Sequence, residues 1–234
     1  MCTAKKELTD RGNVSSHSNP DRDTNAVARI LYRAAFPIAW FCLRLRISAN
    51  VVSGGSLISA AVAAISLVGW RAPLIFASLW ALSVILDFAD GTVARMSKQV
   101  NQTAFRLDHT LDLLKISISF VAIASYWNAP QLWVTSTLSL SALFIFTILN
   151  HDLERAIEST PASTLRRGSR RDSPFRRLML PFVTLHGGSL LLLTVAAFSV
   201  RFAYLTFGYF LLLCTLLALR NARLLRKLPR PNRR

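Results

Sequence analysis

Between Arg46 and Arg71 the chain runs without one charged side chain. About 20 apolar residues are what a helix needs to cross the hydrocarbon core of a bilayer. In that medium each backbone amide must be satisfied within its own segment, so an apolar run of this length is read as a helix. The pattern recurs. Further runs are expected from about Ala72 to Arg95, from Ala104 to Trp127, and from the Asn128-Ala129-Pro130 turn to about Asn150. Two more follow, roughly Leu178 to Val200 and then past Arg201 to about Leu219. Six spanning helices result. With 52% hydrophobic and only 17% charged residues, the composition excludes an ordinary soluble domain. The expected fold class is all-α, a polytopic membrane protein.

Residues 1–25 are rich in Ser, Asn, Asp and Thr and are expected to be disordered. Lys5 and Lys6 are followed by polar residues rather than an apolar core, so no cleaved signal is expected. From Ala26 to Arg46, arginines alternate with Ile30, Phe36, Trp40 and Phe41, which suits an amphipathic helix lying in the headgroup region, bent at Pro37. The membrane domain is expected over residues 26–225, with 226–234 as a basic tail. Cys2, Cys42 and Cys214 are scattered and odd in number, suggesting neither a disulfide framework nor a metal site. The net charge of +16 is concentrated in a 155–177 cluster and in the last fifteen residues. Basic clusters beside apolar helices mark the cytoplasmic face and anionic lipid rather than nucleic acid. The N-terminus, the 96–103 connection, the 151–177 loop and the tail then share the cytoplasmic side, with Arg71 and Arg201 opposite. The expected location is the bacterial cytoplasmic membrane.

Asp87, Asp90, Asp108 and Asp112 are the only carboxylates between Asp23 and Asp152. Helical spacings of three and four place each pair on a shared face. A short polar connection, roughly Met96 to Thr103, lets two helices fold back and bring the pairs together. Intramembrane acids are costly and point to function. Converging carboxylates need a positive charge among them, and oxygen-only ligands favour Mg²⁺ or Mn²⁺. Two such ions about 4 Å apart suit chemistry on a phosphoryl group or a diphosphate.

Around these residues the sequence resembles the CDP-alcohol phosphatidyltransferases, whose signature is D-x2-D-G-x2-A-R-x8-G-x3-D-x3-D. Asp87, Asp90, Gly91, Ala94, Arg95, Asp108 and Asp112 stand at the family spacing, and Ala104 replaces the remaining glycine. Ser48-Ala49-Asn50-Val51-Val52-Ser53 is similar to the family's P-N-x-x-T element, although Asn50 alone would read as a helix cap. The resemblance implies transfer of a substituted phosphoryl group from a CDP-linked lipid or alcohol, such as CDP-diacylglycerol, to a hydroxyl acceptor, releasing CMP. It implies two metal ions on the four aspartates, Asp112 as general base, and Asn50, Ser53, Gly91, Ala94 and Arg95 at the nucleotide diphosphate. A homodimer is also plausible from the family.

Lys115, one turn beyond Asp112, either neutralises Asp112 or contacts the acceptor. Asn150, His151, Asp152 and Arg155 form either an acceptor pocket or a solvated helix end. His186, beside Gly187 and Gly188, faces the cavity or a neighbouring helix, and the glycines also suit close helix packing. Two other readings of the acids are a Mg²⁺-dependent membrane prenyltransferase and a divalent-cation transporter. The DG-x2-AR spacing favours the CDP-alcohol family over the first. Confinement of the acids to one side argues against the second. No motif names the acceptor.

Overall fold

The structure is a computed structural model that describes residues 26–97, 102–158 and 185–227. Seven helices are described: α1 (Ala26–Arg44), α2 (Ala49–Gly69), α3 (Pro73–Met96), α4 (Gln102–Trp127), α5 (Pro130–Glu158), α6 (Leu185–Ala196) and α7 (Val200–Lys227). Five contain windows long and apolar enough to cross a membrane, namely α2, α3, α4, α5 and α7. The chain is thus all-helical with five candidate spans, the pattern of an integral multi-pass membrane protein. The six expected spans reduce to these five because α6 is described over only 12 residues. The start of that expected span, residues 178–184, lies outside the described residues. So do the polar 1–25 segment, the 98–101 connection, the loop arginines Arg166 to Arg177 and the end of the tail.

The helices turn sharply where the sequence breaks its apolar runs. Arg46, Arg71 and Asn128 sit at positive φ, 57°, 50° and 47° respectively, each closing a helix and redirecting the chain. Asparagine tolerates that left-handed region well, and arginine less so. Pro73 and Pro130 each open a helix, where the missing amide hydrogen costs nothing. Pro37 lies inside α1, which continues across it.

Two helix ends differ from expectation. α5 runs on to Glu158 and α7 to Lys227, well past Asn150 and Leu219. The apolar run ends at those points, but the packing does not. Ala218 and Asn221 remain buried, and Asn221 Nδ2 donates to Asn150 Oδ1 at 3.3 Å, tying α7 to α5 beyond the apolar stretch. The expected domain edge at 225/226 therefore falls inside a helix.

The larger core gathers α2 to α7 with Leu31 of α1, and is filled by Trp80, Phe76, Phe120, Phe207 and Phe210. Phe120 of α4 meets Phe207 and Phe210 of α7 at ring distances of 4.8 and 5.3 Å. Backbone carbonyls accept side-chain bonds across helices: Trp80 Nε1 to Ser189 at 3.3 Å and Ser139 Oγ to Phe207 at 2.7 Å. Such bonds add to van der Waals packing in a bilayer, where lipid tails are as apolar as leucine and no hydrophobic force draws helices together. A second, smaller cluster docks α1 on α3 through Ala35, Ala39, Ala89 and Val93. The other side of α1 leaves Ile30, Phe36, Trp40 and Phe41 exposed.

Candidate active site

The site is built where α2, α3 and α4 meet. α3 presents Asp87 and Asp90 one turn apart, and Asp90 is only 3% exposed. α4 presents Asp112 and Lys115, also one turn apart, with Lys115 5% exposed. A serine ladder on α2, Ser53 and Ser56, faces both.

Each charge has a defined partner. Ser53 Oγ donates to Asp90 Oδ2 at 2.6 Å, a short bond of the charge-assisted kind. Lys115 Nζ forms an ion pair with Asp112 Oδ1 at 2.7 Å and a second with Asp87 Oδ1. The same nitrogen donates to Ser56 Oγ at 3.1 Å. Ser56 is itself fixed by reciprocal bonds with α3, since its hydroxyl reaches the Ser83 carbonyl at 2.9 Å and Ser83 Oγ reaches the Ser56 carbonyl at 2.8 Å. One cation is therefore held by three oxygens from three helices. Two oxygens bound to one nitrogen lie within about 6 Å of each other, so carboxylates of α3 and α4 do converge.

The expected site residues fall into three groups. Asp87, Asp90, Asp112, Ser53 and Lys115 come together. Asp108 and Ala104 lie on the first turns of α4, and their side chains are outside the described residues. Among the described residues no three acids, histidines or cysteines gather at one point as a metal-binding group. Asn50 is exposed in the first turn of α2, one turn before Ser53.

Gly91 lies under Arg95: a Cβ built at Gly91 would meet Arg95 Nη1 at 3.4 Å. Its backbone is therefore covered by a movable side chain. Arg95 Nη2 donates to Thr92 Oγ1 at 3.1 Å, and its guanidinium lies over the Tyr32 ring at 5.5 Å. Tyr32 also packs edge-on against Phe88 at 4.9 Å, so α1 helps to aim the last basic group of the motif. Ala94 is half-buried on the same stretch of α3.

Arg155 and Asp152 are exposed at the end of α5, while Asn150 turns to Asn221 of α7. α5 packs chiefly on α7 and also touches α4, the helix that carries Asp112. The side chain of His186 is outside the described residues. Ser56, Ser83 and Tyr32 were missed by the sequence reading. The signal for the two serines was register, since Ser56 follows Ser53 by three residues and Ser83 precedes Asp87 by four.

Carboxylates from two apolar helices thus gather at one point, with an arginine and a glycine beside them. A family model for CDP-alcohol phosphatidyltransferase matches residues 46–217, and the chain belongs to that family. No individual curated protein matches it. Membership makes the chain a transferase of phospholipid biosynthesis and supports transfer of a phosphoryl group from a CDP-alcohol to a hydroxyl acceptor. The family uses divalent metal ions.

Proposed function

We propose that the protein transfers a phosphatidyl or other substituted phosphoryl group from a CDP-linked lipid or alcohol to a hydroxyl acceptor and releases CMP. The observation that carries this reading is the convergence of Asp87 and Asp112, from different helices, on one cationic centre beside Asp90. The donor set is oxygen only and already surrounds a positive charge, which is what Mg²⁺ or Mn²⁺ requires. Asp87, Asp90, Asp108 and Asp112 would hold two such ions, which neutralise charge on the diphosphate and on the departing CMP when bound.

The chain's own groups do the rest. Asp112 takes the proton from the acceptor hydroxyl as its oxygen attacks the phosphorus that carries the alcohol, and the bond from that phosphorus to the CMP oxygen breaks. Ser53 fixes the Asp90 carboxylate. Arg95 swings off Gly91 to meet the nucleotide diphosphate, and the bare backbone beneath lets it approach. Asn50, one turn before Ser53, and Ala94, on the Gly91 stretch, complete the nucleotide side; Lys115 and Arg155 are the basic candidates on the acceptor side. The site faces the cytoplasm, a placement favoured by Arg220, Arg223 and Arg226 on the last turns of α7.

The test is CMP release from CDP-diacylglycerol by the purified protein across a panel of hydroxyl acceptors. Glycerol phosphate, inositol phosphate, serine and glycan-related alcohols belong in the panel. Acceptor-dependent CMP release supports the reading. No release with any acceptor in Mg²⁺ or Mn²⁺ would overturn it.

A further inference from the structure

Lys115 is more than a neighbour of the acids. It is a nearly fully buried ammonium held by three oxygens: Asp87 Oδ1 on α3, Asp112 Oδ1 on its own helix, and Ser56 Oγ on α2. That is the coordination a small hard cation would take, supplied by residues that the proposed function assigns to divalent ions. Four aspartates carry four negative charges, which two divalent ions balance. An ammonium kept between two of those aspartates would leave a surplus positive charge. More directly, it would occupy carboxylate oxygens that the ions need.

We propose that Lys115 is a resident placeholder cation, bridging Asp87 and Asp112 while the site is free of metal and yielding that position when divalent ions bind. The inference rests on the metal-binding reading of the aspartates. Without such a cation, the carboxylates of α3 and α4, two helices that both pack on α2, would repel one another in a low-dielectric interior. With it, the site stays assembled and ready to load. The retreat is built in. Ser56 is locked to Ser83 by paired bonds and remains an oxygen partner for the ammonium after the carboxylates are released. Ser119, one turn further along α4, is fully buried with a hydroxyl that has no partner among the described residues, so polar lining continues past Lys115.

The full chain in detergent, stripped of metal, is titrated with Mn²⁺ and the free ion read by electron paramagnetic resonance. Thermal unfolding is followed with and without saturating Mg²⁺. Lys115→Gln, relieved of the competitor, binds Mn²⁺ about tenfold more tightly or better. Its melting temperature falls below wild type without metal, and Mg²⁺ closes most of that gap. Equal or weaker Mn²⁺ binding, or a deficit that Mg²⁺ leaves intact, would show a merely structural lysine and overturn the proposal. Lys115→Arg serves if the glutamine variant does not fold. A guanidinium fork holds both carboxylates more firmly, so this variant binds Mn²⁺ several-fold more weakly; unchanged or tighter binding refutes the placeholder. A wild-type protein that binds no Mn²⁺ at millimolar concentration would sink the metal reading itself, a result distinct from either variant outcome.

Discussion

Two serines one turn apart on α2 do different jobs, and the difference is chemical. Ser53 donates to a carboxylate, whereas Ser56 receives an ammonium and is locked to a neighbouring backbone. A hydrogen bond to a charged group is worth about 1.5–3 kcal/mol. Ser53→Ala should therefore lower kcat/KM by roughly tenfold to a hundredfold, with Ser53→Thr largely restoring it; steady-state CMP release measures both. Ser56 was hard to read from sequence for a physical reason. Hydroxyls in apolar helices usually bond their own backbone four residues back, as Ser78, Thr92 and Ser117 do here. Only its register with Ser53, three residues earlier, separates Ser56 from those. The aspartates were legible because a carboxylate has no such local resting place in a bilayer.

At the scale of elements, α1 acts as a brace for the motif helix. Ala35 and Ala39 are fully buried against Ala89 and Val93, leaving no room for a longer side chain. Ala39→Leu should overpack that seam at a cost of about 1–3 kcal/mol, visible as a lower melting temperature. Tyr32→Ala removes the ring beneath Arg95 without crowding the seam, so it should raise KM for the CDP substrate several-fold while sparing stability. An unchanged KM would show that α1 only covers α3. The starts of α2, α3 and α4 were readable to within a residue or two because charge and proline mark them. The ends of α5 and α7 were not, since polar helix continues past the apolar run wherever a partner such as Asn221 meets Asn150.

Across the whole molecule, three turns share one end. Arg71 lies over the Tyr126 ring at 6.0 Å, and Trp127 Nε1 donates to the Ala196 carbonyl at 3.0 Å. These contacts gather the α2–α3, α4–α5 and α6–α7 turns, with Trp70 and Trp133 exposed nearby in the chain. Tryptophan and tyrosine favour the membrane–water interface. That end carries Arg71 and Arg201, and the aspartates lie toward the other. In a chain with its native cysteines replaced, a cysteine at Ala72 should react with an impermeant maleimide from outside intact cells and one at Arg155 should not; the reverse pattern would invert the orientation. The sixth span was expected from residues that the described structure covers only in part, so its count rests on sequence.

The central claim is that aspartates from α3 and α4 form one metal-dependent reaction centre. CMP release from CDP-diacylglycerol, compared between the wild type and Asp112→Asn with Mg²⁺ present and after EDTA, tests it most directly. The account predicts acceptor-dependent release by the wild type, its loss in EDTA, its return with Mg²⁺, and a variant at least about a hundredfold slower, the low end of a general base's contribution. A variant that turns over near the wild-type rate, or release indifferent to EDTA, would contradict it.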